Sequence, residues 1–403
     1  MYRTQNKNWL IVLICALSTG CVEQVVRTVD MTPPEQMGRE QSEDELLDIG
    51  IAIFDPNVPE GYDEQVKQLI QPDIRRAEAN FIPYVAKNLL QSTGNWGAVR
   101  VLPRPTHAVD VVIDGKILHS TGENLEVDVV VEDSTGKLWF AKKYDALSSK
   151  YAYDESIPRN VDPFQAVYKQ LADDLLEYRK SLTPEEITVI RRTAEMKFAQ
   201  DFAPDAFSEH IAVDGEGEFE LKRLPADDDP MLSRVRRVRE REYLFIDTLD
   251  EYYESFHREM FGSYQNWRRA TYEEAIAYKQ LKAQARARTI GGATAIIAGV
   301  AAMSESSDPY IDSSGIVSVI SGALTLKSAI AKRAEAEIHA EVLQEVGVAA
   351  EAEIVPHTIE LENQTVRLQG TVDEQYQELR GILRKVYFDD LGLPVPEEAP
   401  EES

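Results

Sequence analysis

Cysteine and histidine supply much of the nucleophilic and metal-binding chemistry in proteins, and this chain has two cysteines and six histidines. Both cysteines, Cys15 and Cys21, lie near the start of the chain in the stretch LIVLICALSTGC. The histidines are scattered and form neither an H-E-x-x-H motif nor a His/Cys cluster with metal-ligand spacing. No G-x-S-x-G and no Walker loop occurs. The sequence therefore predicts no catalytic residue, no cofactor and no metal site, and it directs attention to Cys21.

The residues before Cys21 have the features of a secretory signal. Arg3 and Lys7 are positively charged, Trp9–Leu17 is apolar, and 18–20 (Ser-Thr-Gly) are small. The apolar stretch is too short to span a bilayer, which needs about 20 residues. This arrangement resembles the lipobox of bacterial lipoproteins, although Leu17 lies four residues before Cys21 and the family prefers leucine three before. The resemblance implies that Cys21 becomes the first residue and carries the acyl chains, palmitate among them.

The lipobox resemblance implies a location as well. Residues 1–20 would be the signal peptide, and 21–45, with Pro33 and Pro34, would be a flexible tether. Val22 is not the aspartate associated with inner-membrane retention, so an outer-membrane anchor facing the periplasm is implied. A mature chain that begins at Cys21 has no second thiol, which excludes a disulfide. The alternative is that Cys21 is a structural thiol behind an ordinary signal.

Charge and composition limit the possible partners. The chain has 43 Lys and Arg against 70 Asp and Glu, a formal net charge of −27. Such a surface repels nucleic acid and anionic lipid, so general binding to either is not expected. With 403 residues, 43% of them hydrophobic, the chain has enough apolar material for a core in two or three domains.

Residues 46–181 have the pattern of a sheet backed by helices. The strand-like run DIGIAIFDP is followed by a helical stretch at 72–92, four more strand-like runs and a helical stretch at 162–180. The runs VDVVIDGKIL and LEVDVVVEDSTGKLWFAKKY resemble the small α/β domain of TolB amino-terminal, LpoB and CsgG-type envelope lipoproteins. The turn sequences HSTGEN and DSTGK separate the last three runs, which predicts two hairpins and a mostly antiparallel sheet. The resemblance implies a domain that binds envelope proteins without catalysis.

The rest of the chain is predicted to be mostly helical, which makes the whole fold α+β. A helical domain is expected over 182–345. Its helices begin at the capping box of Thr183–Glu186, at Asp229-Pro230 and near Tyr264, and it includes a Gly/Ala-rich helical hairpin at 288–332. Residues 346–393 have an α-β-β-α order that resembles part of a BON domain. Residues 394–403 form a disordered acidic tail.

Three surfaces are candidates for binding, and each has an alternative interpretation. The arginines Arg234, Arg236, Arg237, Arg239 and Arg241 could dock an acidic partner, or could form a solvated helix face. Tyr264 and Trp267 could stack on a glycan, or could pack between helices. The hairpin at 288–332 could associate with copies of itself or with a bilayer, or could be a tightly packed soluble element.

These observations predict a lipid-anchored outer-membrane protein on the periplasmic side, acting as a non-enzymatic assembly, scaffold or binding factor in the cell envelope. The alternative is a peptidoglycan- or glycan-binding module that uses the aromatic-rich segment 243–278. An enzyme whose catalytic residues are distant in sequence stays open as a third hypothesis.

Overall fold

A computed structural model describes residues 32–38, 41–61, 64–65, 70–153, 161–215, 217–226, 228–302, 358–361 and 364–395. The predicted signal peptide, Cys21, part of the tether, much of the hairpin and most of the acidic tail lie outside these residues. Within them the fold is α+β, as the sequence predicts, with an amino-terminal sheet domain followed by helices.

The α/β domain has the element order that the sequence patterns predict. Its elements are β1 (Ile49–Ala52), α1 (Pro72–Thr93), β2 (Val99–Leu102), β3 (Val111–Ser120), β4 (Asn124–Asp133), β5 (Leu138–Leu147) and α2 (Gln165–Ser181). Pro83 lies inside α1 and cannot donate to the carbonyl of Ala79. That carbonyl accepts the backbone N–H of Phe54 at 3.1 Å instead, which joins the helix to the end of β1.

The sheet is mixed, with strand order β2-β1-β3-β4-β5. Strand β1 lies between β2 and β3 and pairs in parallel with both. Strands β3, β4 and β5 have ten residues each and form two successive antiparallel hairpins, so the antiparallel part is the larger one. At the second hairpin turn Gly136 has a φ of +83°, a conformation that glycine adopts without steric cost.

One face of the sheet packs against α1 and α2. Buried side chains alternate along β4, with Val127, Val129 and Val131 in this core beside Phe164 and Leu171. The other face is solvent-exposed over β3, β4 and β5, and we call it the open face. Its exposed residues include Asp114, Lys116, Asp128, Val130, Glu132 and Lys143.

The helical region begins immediately after α2. Its elements are α3 (Pro184–Phe202), the single turn α4 (Pro204–Phe207), the hairpin strands β6 (Ile211–Val213) and β7 (Phe219–Leu221), and α5 (Pro230–Ala302). The predicted capping box is confirmed, since the Thr183 hydroxyl accepts the N–H of Glu186 and the Glu186 carboxylate accepts the N–H of Thr183. Asp229 likewise caps α5 by accepting the N–H groups of Met231 and Leu232.

The predicted start of a separate helix near Tyr264 is wrong, because α5 is one continuous helix of 73 residues. No proline follows Pro230 before Ala302, and Gly262, the glycine beside the predicted start, weakens the helix by only about 1 kcal/mol relative to alanine. Burial of Met260 and Tyr264 on either side of Gly262 offsets that loss.

The last described elements are β8 (Thr358–Leu361), β9 (Gln364–Arg367) and α6 (Val372–Leu391). The predicted order β-β-α is confirmed here, while the preceding helix lies outside the described residues. Helix α6 packs with α3 and α5 in a second core that also contains Val101 and Leu102 of β2. Among the described residues no helix combines the length and the apolar character that crossing a membrane requires.

Candidate functional site

A cleft of about 270 Å³ lies where the open face meets α3 and the loop between β2 and β3. Strands β3 and β4 form its floor, the loop and the second hairpin turn form its rims, and α3 closes one side. Its lining residues are Pro105, Thr106, His107, Val109, Val112, Asp114, Val130, Glu132, Asp133, Ser134 and Lys197.

Lys197 is the most unusual residue of the cleft, because its side chain is only 7% exposed. Its ammonium lies 3.8 Å from the centre of the Phe219 ring, a cation–π contact that the β6–β7 hairpin supplies. Within the described part of the chain no hydrogen bond or ion pair reaches this ammonium. Burial lowers the pKa of Lys197, opposed by the charges of Glu132, Asp201 and Asp133. These three carboxylates act through space and do not neutralise the lysine by contact.

The loop that carries Thr106 and His107 is held by a buried polar cluster. His107 Nδ1 lies 2.9 Å from Asp201, and the Thr106 hydroxyl donates to Glu242 at 3.3 Å. Glu242 is fully buried, and burial raises the pKa of its carboxyl. The hydrogen bond from Thr106 to Glu242 fixes the loop, and the fixed loop keeps the rim of the cleft in place.

Helix α6 completes this polar cluster from the other side. The Tyr376 hydroxyl donates to Glu242 at 2.6 Å, and Arg380 lies 3.6 Å from both Glu242 and Asp201. The Arg380 and His107 contacts together hold the pKa of Asp201 below its ordinary value, although burial alone would raise it. The cleft wall thus depends on a helix far away in sequence.

The arginine-rich start of α5 is partly used inside the molecule. Arg236 forms an ion pair with Glu195 at 2.6 Å, and Arg239 donates to the backbone carbonyl of Ala108 at 2.6 and 3.0 Å. Val235 and Val238 are buried, as predicted for the core face of this helix. Two of the five candidate arginines therefore hold α5 against the rest of the chain.

The other three arginines differ in exposure. Arg237 is exposed, whereas Arg234 and Arg241 are half-buried, and Arg234 contacts the sulfur of Met231 at 3.8 Å. Of the five, Arg237 is the most accessible to a partner. The arginine-rich surface is therefore partly exposed to solvent and partly used in contacts within the molecule.

The prediction that Tyr264 and Trp267 stack on a glycan is wrong, because both side chains are buried. The two rings stack on each other at 5.9 Å, and Tyr264 also contacts Phe81 of α1. Aromatic residues at this spacing in α5 serve helix packing, the alternative that the sequence left open. A ligand would have to displace the helix to reach them.

Tyr264 belongs to a buried charge network, which we call the clasp: Arg75, Glu78, Ser120, Asp162, Tyr264 and Arg268. Arg268 is fully buried and binds Asp162 at 3.0 and 3.1 Å, with its guanidinium 3.9 Å above the Tyr264 ring. Both the Tyr264 and Ser120 hydroxyls donate to Glu78, which pairs with Arg75 at 3.3 Å. The clasp fixes α5 to α1 and to the sheet.

The remaining sequence predictions fall outside what the structure can place. Cys21 lies outside the described residues, as do 303–332 of the glycine-rich hairpin. Among the described residues no group of three or more His, Cys, Asp or Glu could hold a metal ion.

The cleft was not predicted from the sequence, although the position of Lys197 in the helical pattern indicates an unusual residue. Ile190, Ala194 and Lys197 follow helical spacing on the buried side of α3, so a lysine occupies a position where the pattern requires an apolar residue.

Comparisons with protein-family models, with curated proteins and with solved structures find no significant match for this chain.

Proposed function

We propose that this protein is a lipid-anchored, periplasm-facing outer-membrane factor that scaffolds an envelope assembly by binding protein and has no catalytic role. The anchor part of the proposal is supported by the lipobox-like residues that end at Cys21. The binding part is supported by the likeness of the strand runs in β3, β4 and β5 to domains that bind envelope proteins.

The observation that carries the scaffold role is the length and mounting of α5. At 1.5 Å per residue its 73 residues extend for about 110 Å. The clasp holds the helix to the α/β domain, and contacts with that domain reach Tyr272, whose ring lies 5.5 Å from Tyr153. The helix then continues over residues 273–302. A long helix that is fixed to a domain over part of its length suits a protein that holds its partners together or at a set distance.

The sequence of the continuing part favours a packing partner. Gly291, Gly292 and Gly299 lie in it, and each glycine weakens a helix by about 1 kcal/mol relative to alanine. Most helical stability in proteins comes from packing of an apolar face. The sequence there includes the apolar residues Ile296 and Ile297 and several alanines, and small residues in general permit close approach of another helix.

In-cell photo-cross-linking tests the scaffold role. A benzophenone amino acid at position 297, in the continuing part of α5, should cross-link to another envelope protein or to a second copy. The same group at Val189, an exposed residue of α3, is the matched control and should give weaker cross-linking. Equal cross-linking at both positions, or none at position 297, would contradict the proposal.

Fractionation of Cys21→Ala tests the anchor independently. Without the thiol no acyl chain can be attached, so the variant should leave the outer-membrane fraction after a carbonate wash. A variant that stays in the washed membrane would contradict lipid anchoring at Cys21. Because the cross-linking depends on α5 and the fractionation on Cys21, either part of the proposal can fail alone.

A further inference from the structure

One property of the cleft is that Lys197, a mostly buried residue, lines it and has no contacting acceptor for its ammonium among the described residues. Partial burial removes some of the water that would otherwise solvate a cation, so an acceptor in the cleft would stabilise it. The ammonium of Lys197 has only the Phe219 ring and through-space attraction to carboxylates among the described residues. A ligand oxygen at this position would complete its hydrogen bonding.

The floor of the cleft carries the opposite charge. Asp114 and Glu132 lie on adjacent strands of the open face, where Val112 pairs with Glu132 and Asp114 with Val130. Asp114 accepts the N–H of the adjacent Gly115 at 2.8 Å, and both carboxylates are exposed to solvent. A simple anion that approached Lys197 would be repelled by this floor, while a simple cation would leave Lys197 without an acceptor.

A ligand that carries both charges satisfies both sides at once. We propose that the cleft binds a small zwitterion, either a free amino acid or a dipeptide. Its carboxylate would accept from Lys197, its ammonium would face Asp114 and Glu132, and its side chain would lie on Val112 and Val130. The volume of about 270 Å³ lies just below the roughly 300–1,000 Å³ of most small-molecule sites. The cleft is therefore large enough for a ligand of one or two amino-acid residues.

Neighbouring groups support this assignment. His107 on the rim is held in place by Asp201, whose carboxylate accepts from Nδ1, so in the neutral ring Nε2 is an acceptor for a donor group of a ligand or for water. Val130 is 40% exposed although it is a large apolar residue, and it provides the surface that a ligand side chain would cover.

Isothermal titration calorimetry of the purified full chain tests the proposal directly. The probes are leucine and alanyl-leucine, with N-acetyl-alanyl-leucine and alanyl-leucine amide as derivatives that lack one charge each. We expect one of the two zwitterions to bind at millimolar concentration or more tightly, and both derivatives to bind at least about tenfold more weakly. Lack of binding by both zwitterions, or equal binding by the derivatives, would overturn the assignment.

Matched variants locate the binding. Lys197→Met keeps an unbranched apolar side chain beside Phe219 and should weaken zwitterion binding by roughly ten- to hundredfold. Lys143→Met alters a lysine of the same open face outside the cleft lining and should leave binding unchanged. Equal affinities of the Lys197 and Lys143 variants would place the ligand elsewhere and overturn the proposal.

A second pair keeps the test decisive if Lys197→Met does not fold. Asp114→Asn removes a charge from the floor, and Asp128→Asn makes the same change on the open face outside the cleft lining. Only Asp114→Asn should weaken binding, and equal effects would count against the proposal. This experiment uses no membrane and no partner protein, so its result is independent of the scaffold role.

Discussion

Gly122 lies at the tip of the β3–β4 hairpin, where the hairpin meets α5. A methyl group at this position would overlap the carbonyl oxygen of Arg268 and would lie 2.8 Å from its carbonyl carbon. The Gly122 N–H donates to Thr271 at 3.2 Å, and the Ser148 and Tyr153 hydroxyls both donate to the Gly122 carbonyl. The close approach requires glycine here, and the hydrogen bonds fix the position of the hairpin tip.

We therefore expect Gly122→Ala to separate the hairpin from α5. Overpacking typically destabilises by 1–3 kcal/mol, and here the obstacle is backbone that cannot change rotamer. Loss of one or two of the hydrogen bonds removes about 1 kcal/mol each. The sum of about 3 kcal/mol or more is a large part of the 5–15 kcal/mol that stabilises a typical domain. At roughly 2–4 °C per kcal/mol, the Tm should fall by about 6–12 °C.

The assay combines thermal unfolding with hydrogen exchange of the peptides that cover 262–275. Exchange in this segment should increase in Gly122→Ala, because the segment loses its contact with the hairpin. Gly262→Ala is the matched control, since no atom lies within 4 Å of the added methyl group and α5 is helical there. That change should raise stability by about 1 kcal/mol. A Tm for Gly122→Ala within about 1 °C of wild type, with unchanged exchange, would refute this reasoning.

Three further predictions follow from the structure. Burial raises the pKa of Asp110 to about 6. The native state therefore binds more protons than the unfolded state between about pH 4 and 6, and Asp110 makes stability fall as the pH rises through this window. Asp110→Asn removes this contribution. In denaturant titrations the free energy of unfolding of the variant, relative to that of the wild type, should increase by up to about 3 kcal/mol from pH 4 to pH 7.5. A difference between the two proteins that does not change with pH would contradict this prediction. Arg236→Ala should lower the Tm because it leaves the half-buried Glu195 carboxylate with one arginine fewer, whereas Arg237→Ala should leave the Tm unchanged; equal effects would count against the assignment. A protein comprising residues 46–403 should not float with liposomes, since the two apolar runs of the glycine-rich segment are shorter than a membrane span, and robust flotation would indicate a second membrane contact.

The element order of the sheet domain was predictable because local patterns determine it. Alternating apolar residues predicted β3, β4 and β5, and the two turn sequences between them predicted the hairpins. The position of β1 between β2 and β3 was not predictable in this way. Its pairings join segments 50 residues apart (Ile49 with Val99) and 62 residues apart (Ile49 with Val111), and they leave no local trace in the sequence.

The candidate site was mostly unpredictable from sequence for the same reason. Its cleft combines a loop, two strands and a helix, and the burial of Lys197 depends on the β6–β7 hairpin that covers it. Helical spacing showed that Tyr264 and Trp267 share a region of α5, but spacing alone could not show whether this region faces solvent or α1. The contact between Tyr264 and Phe81 shows that this region of α5 faces α1.

Helix α6 has a consequence for how the chain acquires its structure. Arg104 binds Asp373 in an ion pair that joins positions 269 residues apart, and Tyr376 reaches Glu242 across 134 residues. Contacts of such long separation form slowly, because a long loop must close before they contribute stability. The sheet domain can assemble earlier from neighbouring hairpins, whereas the second core keeps an open apolar surface until α6 arrives. A nascent chain would therefore pass through an interval in which Phe245 and Leu249 are unprotected, and holding chaperones or proteases would act during that interval.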